Sequence, residues 1–453
     1  MKRLWLILLS LGLTMTFCIS AYAVDVKVSG EFYVAGLYLD KINLTQDVKP
    51  DPSTAFFYQR LRVGTDFIVS PSLKLVTRFD AMERVWGGDR SISSMGPLST
   101  VSAKDSYETA AENQNIAIDW VYIDYVSPIG TFDVGIMNDG ATGTVFGNSY
   151  APAARIKYSY TFAPFTINAA YTKVKDQSYS AYISTPFADG VTDADNDKYG
   201  IEGVYKWKDG KAGININYYR YAEKRPDPVP TAAHNYKKAY FLFTPYATAK
   251  IGPVDIQAEL NYATGKVKEY DNPSLGTDQK MENWSGWIDA TANFAPVYLG
   301  GTFAYVSGDD PNTPQQEGGT IDGGRDWNPC LILFNYYDRT NWVGALAGNG
   351  TSTNSGPMTN ALFYQGRVGV KPVTDLDIMA SVSYANADKK PAGFVGGSYG
   401  WEVDVTGTYK ITNNLSYMLG IGYLFTGDYF KGTAGASKVG DDYMVINKLT
   451  LSF

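Results

Sequence analysis

The chain ends in Tyr443-Met-Val-Ile-Asn-Lys-Leu-Thr-Leu-Ser-Phe453. Tyr443, Val445, Leu449, Leu451 and the terminal Phe453 fall on one parity, and Met444, Ile446, Lys448, Thr450 and Ser452 on the other. Successive strand side chains point to opposite faces. The last turn of the pattern therefore sets Leu449, Leu451 and Phe453 on one wall and Lys448, Thr450 and Ser452 on the other. A soluble domain seldom commits its last residue to a strand-borne aromatic, because termini fray. Only Asn447 interrupts the apolar parity.

The other end agrees with export. Lys2 and Arg3 precede an apolar run from Leu4 to Phe17, and Ala21-Tyr22-Ala23 places small residues where a signal peptidase reads. Residues 1–23 are expected to be a cleaved signal peptide, leaving one domain over residues 24–453. The run is short for a membrane anchor. Lipidation at Cys18 is disfavoured by bulky Phe17, where that motif wants a small residue. Removal of the leader leaves Cys330 as a single thiol, which cannot form an internal disulfide. The net charge of −7 becomes more negative by two without Lys2 and Arg3, which argues against nucleic acid as a partner.

The chain is long enough for several soluble domains, yet no linker divides it. Its 45 glycines and 35 tyrosines are spread along the length. No stretch beyond the leader is apolar enough to span a membrane as a helix. Only helices and closed barrels satisfy their backbone in lipid, so an exported chain with this closing segment is expected to form a barrel.

A barrel needs alternating segments of about ten residues, with short turns at one rim and long loops at the other. The sequence has that rhythm. In Phe57–Val69, Leu61, Val63, Thr65, Phe67 and Val69 share one face, and Arg60, Arg62 and Asp66 the other. After Ser70-Pro71-Ser72, Lys74, Arg78, Asp80 and Arg84 again oppose Leu73, Leu75, Thr77, Phe79 and Ala81. The segment from Asn115 to Val126 is ambiguous in parity, which one bulge would reconcile. Short turns recur at every second connection, at Ala163-Pro164, Asp209-Gly210, Gly252-Pro253, Ala295-Pro296 and Asn413-Asn414. The count predicts an all-β, membrane-spanning, antiparallel up-and-down barrel of about 18 strands, with 16 as the alternative. Cys330 to Tyr337 is apolar enough for a strand but would break the even count. It is read as structure inside the longest loop, Gly308 to Met358. Tyr38, Trp86, Trp207, Tyr305 and Tyr384 sit at strand ends and fit interfacial girdles.

The whole mature chain resembles a Gram-negative outer-membrane porin. In such barrels a terminal Phe with apolar or aromatic residues at alternate positions is the tag read by the insertion machinery, and here Tyr443, Val445, Leu449, Leu451 and Phe453 match. The resemblance implies an outer-membrane location and lipid and the barrel-insertion machinery as partners. It implies a water-filled channel for passive diffusion of small hydrophilic solutes or ions, as a homotrimer or a monomer. General porins fold the loop after the fifth strand into the barrel, often with acidic groups and an aromatic-glycine pair. Asn138 to Pro152 is the corresponding segment, with Asp139 and Phe146-Gly147 as its constriction residues; the loop at Gly308 to Met358 is a rival plug.

Within that expectation, Arg60, Arg62, Lys74, Arg78 and Arg84 form a basic wall on the inward face of two adjacent strands. The wall is expected to attract anions, with Asp139 facing it across the narrowest point; local neutralisation by Asp66 and Asp80 is the competing reading. Catalysis is not expected, and no catalytic residue is proposed. His234 is the only histidine and has no identifiable acidic partner. Asp193-Ala-Asp195-Asn-Asp197 begins like a calcium loop, but Lys198 and Val204 replace the required Gly and Glu. No cofactor or metal is expected. The alternative function is a scaffold barrel or exporter component whose lumen is plugged or occupied by a partner.

Overall fold

The computed structural model describes residues 24–46, 53–87, 116–140, 143–176, 194–223, 225, 235–319, 324–354, 356–433 and 438–453. The segments that alternate in sequence are the strands of the fold. They run β1 (Asp25–Leu39), β2 (Thr54–Ser70), β3 (Leu73–Val85), β4 (Ile116–Ser127), β5 (Gly130–Asn138), β6 (Pro152–Phe162), β7 (Phe165–Lys175), β8 (Asn196–Trp207) and β9 (Gly210–Tyr221). They continue as β10 (Tyr236–Ile251), β11 (Val254–Tyr270), β12 (Gln279–Phe294) and β13 (Val297–Val306). A two-residue hairpin, β14 (Leu346–Ala347) with β15 (Thr353–Asn354), lies in the longest connection. The series ends with β16 (Ala361–Val373), β17 (Leu376–Asn386), β18 (Ser398–Lys410), β19 (Leu415–Thr426) and β20 (Asp442–Ser452).

All but β14 and β15 belong to one 18-stranded antiparallel sheet, in which each strand pairs with its sequence neighbours. β1 pairs with both β2 and β20, so the sheet closes and no edge remains. Closure lets every strand meet its backbone hydrogen bonds without water, which is the condition for crossing hydrocarbon. Gly30 and Phe453 exchange both backbone bonds, at 2.8 and 3.0 Å, and seal the seam at the rim of short turns. The predicted strand count of 18 is therefore the observed one.

Alternation decides which side chains face out. On β19, Tyr417, Leu419, Ile421, Tyr423 and Phe425 are exposed on the outer wall, while Gly420 and Gly422 face the interior. On β18, Trp401, Val403 and Val405 are exposed, and Glu402 and Asp404 between them are buried inside. The parity ambiguity near Trp120 is a bulge. Arg78 pairs with Trp120 and the next residue, Phe79, with Ile118, so Asp119 is the extra residue and both Asp119 and Trp120 turn inward. Cys330–Tyr337 is not a strand: a short helical turn starts at Tyr336, inside the connection between β13 and β16.

Candidate functional site

Two connections at the long-loop rim turn into the barrel. The first joins β5 to β6. Its root is Asp139, a buried carboxylate 3.1 Å from Arg155 and 3.3 Å from Lys198, which also accepts a 3.0 Å hydrogen bond from Thr172. These partners are its own neighbours in the wall, not the arginines of β2 and β3. From there the chain crosses to β11. The backbone N–H and hydroxyl of Thr144 both donate to Glu259 Oε2, at 2.6 and 2.8 Å. A Cβ at Gly147 would sit 2.4 Å from Glu259 Oε1, so only glycine lets the backbone approach so closely. Phe146 then stacks on Trp287 of β12 at 5.9 Å, with the rings nearly parallel.

The second is the β13–β16 connection. It meets the first loop directly: the Asp326 and Arg325 N–H groups donate to Asn148 O and Ser149 Oγ, each at 3.1 Å, and Trp327 packs edge-on to Phe146 at 5.3 Å. It then lies against the opposite wall. Ile332 and Leu333 N–H donate to the two oxygens of Glu402, at 2.6 and 2.7 Å. Asp338 accepts from Tyr58 of β2 and Lys448 of β20, both at 2.8 Å. Around these anchors Ile332, Leu333, Phe334 and Leu346 are buried with wall residues such as Phe363, Tyr399, Met444 and Ile446. An apolar core thus occupies the interior beside β1, β2 and β12–β20, where alternation alone would place polar lining.

That core includes two groups with unusual settings. Arg339 is 1% exposed, and only its Nη1 has a partner among the described residues, Gly344 O at 2.9 Å. Burial pulls its guanidinium down to about 10. Cys330 is buried too, and burial pushes its thiol well up. Its Sγ lies within 4.8 Å of carboxylate oxygens of Glu402 and Asp404. Both Glu402 oxygens already accept backbone N–H groups, so Glu402 is committed to holding the loop.

Four residues of the expected basic wall, Arg60, Arg62, Lys74 and Arg78, point inward, and carboxylates accompany them. Arg62 makes a two-pronged pair with Asp80 at 2.6 Å and lies 3.8 Å from Asp119. Arg78 is 3.1 Å from Asp119, Lys74 is 3.3 Å from Asp124, and Arg60 is 3.5 Å from Glu31. Arg84 does not join this wall: an irregularity at Met82, with φ +57°, shifts the β2–β3 register, so Glu83 faces the cavity and Arg84 stands opposite Gln59 on the outer face. Arg78 is sandwiched between the rings of Trp120 and Tyr150, at 3.7 and 4.3 Å. Between this wall and the two loops lies a cavity of about 670 Å³. Its charged lining mixes signs: Arg60, Arg62, Arg325 and Lys448 face Glu31, Asp80, Glu83, Asp119 and Asp338.

Of the other sequence candidates, Asp195 and Asp197 hold Lys173, at 2.8 and 2.7 Å. His234, Asp193 and residues 1–23 lie outside the described residues. The closing-strand residues Tyr443, Leu449, Leu451 and Phe453 are exposed on the outer wall. Sequence reasoning passed over Glu259 and Glu402, the two carboxylates that hold the loops. Their signal was partial: each is an acid on the inward parity of its strand, Glu402 two residues before the equally buried Asp404.

Among known proteins, no family model and no curated protein sequence matches this chain. Solved structures do resemble it. OccAB3 of Acinetobacter baumannii superposes with a TM-score of 0.52 at 10% identity, over 94% of this chain and 100% of that one. OccK2 (OpdF) of Pseudomonas aeruginosa, in complex with glucuronate, gives 0.50 at 12% identity, over 95% and 97%. OpdK of Pseudomonas aeruginosa with vanillate gives 0.50 at 13%, over 94% and 99%. OpdK is an outer membrane protein. At this identity the likeness concerns architecture, and it extends over nearly the full length of each chain: this protein has the closed 18-stranded barrel fold of outer-membrane porins.

Proposed function

We propose that the protein is an outer-membrane channel through which small hydrophilic solutes or ions diffuse passively, no bond being made or broken. The observation that carries this reading is the cavity of about 670 Å³ between the β2–β4 wall and the two inturned loops. Its lining joins charged side chains of both signs with the rings of Tyr33, Tyr150, Tyr336 and Trp342, from the wall and from both inturned loops. The β5–β6 loop, with Asp139 at its root and Phe146-Gly147 at its tip, sets the constriction, and the β13–β16 loop fills the other side. Arg60 and Arg62 line the cavity, and Lys74 and Arg78 share their inward face. Their carboxylate partners reduce the anion preference that an all-basic wall would have. The bound glucuronate and vanillate of the two similar structures support small organic solutes as the class to test first. Residues 1–23 direct export, and the Tyr443–Phe453 pattern is read by the insertion machinery. The outer wall meets lipid, as a monomer or homotrimer.

Single-channel conductance of the purified barrel in a planar bilayer tests the reading. Steady conductance steps are expected, with a reversal potential near zero in a salt gradient. A folded, inserted and silent protein would overturn it. A second reading has its own support: the apolar core of the β13–β16 loop is packed like a domain interior, as a plugged scaffold requires. Silence that persists after removal of residues 324–354 would point to that scaffold; conductance appearing only after the removal would point to a plug.

A further inference from the structure

A second cavity, of about 330 Å³, lies on the far side of the Arg78–Trp120–Tyr150 stack, against β7, β8 and β9. Its floor is a row of amides. Asn168, Glu202 and Asn215 are direct cross-strand neighbours, and Asn217 stands in the next row opposite Gly200. Gly200 is what makes room, since a Cβ there would meet Asn217 Oδ1 at 2.6 Å. Glu202 is held with both oxygens occupied: Asn168 donates to one and Tyr246 to the other, each at 2.7 Å. Asn217 is 3% exposed, and its Nδ2 has no hydrogen-bond partner among the described residues. Trp120 and Tyr122 wall the other side.

The charges in this cavity cancel. Lys157 is 3.3 Å from Asp133, and Arg155 is taken by Asp139 at 3.1 Å. Glu202 keeps its charge and is held by hydrogen bonds; the surplus positive charge of Arg155 and Lys198 over Asp139 balances it. A buried amide without a partner costs free energy until a ligand or water supplies an acceptor. Amides, a fixed carboxylate and aromatic faces in a site without net charge suit a ligand that offers many hydroxyls, both donors and acceptors, and no charge of its own. We propose that this cavity is a binding site for a neutral polyhydroxylated solute of monosaccharide size. Hydroxyls would receive the Asn217 amide, donate to the Glu202 and Asn215 oxygens, and lay a C–H face on the Trp120 or Tyr122 ring. The cavity is within the size range of small-molecule sites and adjoins a second space toward Lys206 and Lys211, which gives the test its discriminating arm.

A role in uptake rests on the channel reading, but binding does not, so the test reads binding on the folded barrel in detergent. Saturation-transfer NMR is run with glucose, mannitol and gluconate as probes. Transfer to glucose and mannitol is expected, with at least a tenfold weaker response to gluconate. The signal should be lost in Asn217→Leu and in Gly200→Val, which fills the space beside Asn217. Asn447→Leu on the outer wall should leave it unchanged. Heat-modifiable migration on gels reports folding of each variant. No transfer to either neutral probe, equal transfer in folded Asn217→Leu and Gly200→Val, or a stronger response to gluconate would each overturn the proposal. A barrel that binds glucose but conducts nothing would keep the site and remove the channel.

Discussion

Replacing both Arg62 and Arg78 with Ala should turn the passage cation-selective. The four groups Arg62, Arg78, Asp80 and Asp119 sum to zero charge and touch one another within 3.8 Å. Removing the two guanidiniums leaves two carboxylates facing the cavity. An ion passing at about 6 Å feels each by about 0.7 kcal/mol at the dielectric constant of water. A Debye length of about 10 Å in 0.1 M salt cuts this roughly in half. The pair then favours a cation by about 0.7 kcal/mol and disfavours an anion equally, a change of about tenfold in their permeability ratio. In a tenfold salt gradient, where ideal selectivity gives about 59 mV for a monovalent ion, the reversal potential should move by roughly 40 mV toward the cation limit. The assay is a planar bilayer with wild type, the double alanine variant and an Arg62→Lys, Arg78→Lys control that keeps the charges. An unchanged reversal potential in the folded double alanine variant would refute the placement of these side chains on the ion path.

The loops make further expectations. Phe146→Ala removes the ring between Trp287 and Trp327, at a cost of about 3–5 kcal/mol to the packing, and should raise conductance and current noise; quiet wild-type steps would count against the constriction. Glu259→Gln loses a charged acceptor for the two Thr144 donors, worth about 1.5–3 kcal/mol, and should produce brief flickers between conductance levels in single-channel records. Cys330, buried with its thiol pushed up, should resist maleimide in the folded barrel and react on denaturation; labelling at native rates would show that the β13–β16 loop leaves the lumen. Asn447 faces outward, and among the described residues its amide has one contact, 3.4 Å from Gly36 O, so Asn447→Leu should raise the urea midpoint in lipid, and a lowered midpoint would place that amide in a protein contact.

The strands were legible because a two-residue period is a local property. Leu61, Val63 and Phe67 against Arg60 and Arg62 need no partner to announce two faces, and lipid outside makes the choice of face one-sided. The same local logic located the bulge near Trp120 without saying which residue is extra; the pairing of Arg78 with Trp120 decided that. The apolar run from Cys330 onward correctly signalled burial, and its reading as loop structure was right because the even strand count left it no place in the sheet. Loop positions have no period, however. Asp139 and Phe146 could be named as constriction residues from the resemblance, but not the direction of their contacts. Asp139 pairs with Arg155 and Lys198 because the chain turns at its root, whereas the reach to the far wall is made by Thr144 on Glu259.

By itself, then, the sequence determined a closed barrel, its strand number, its outward surface and the inward basic residues Arg60, Arg62, Lys74 and Arg78, since each follows from alternation and hydrophobicity along a few residues; Arg84 escaped because the Met82 irregularity reverses the alternation. Only the tertiary structure decided that both long loops turn in, that they meet at Phe146 and Trp327, and that the basic residues of β2 and β3 stand beside carboxylates from neighbouring strands. The loop contacts join positions more than a hundred residues apart, such as Glu259 with Thr144, and the ion pairs join neighbouring strands, as Arg62 with Asp80 and Arg78 with Asp119. Barrel closure brings such groups within bonding distance, and no periodicity in the chain encodes which of them will meet.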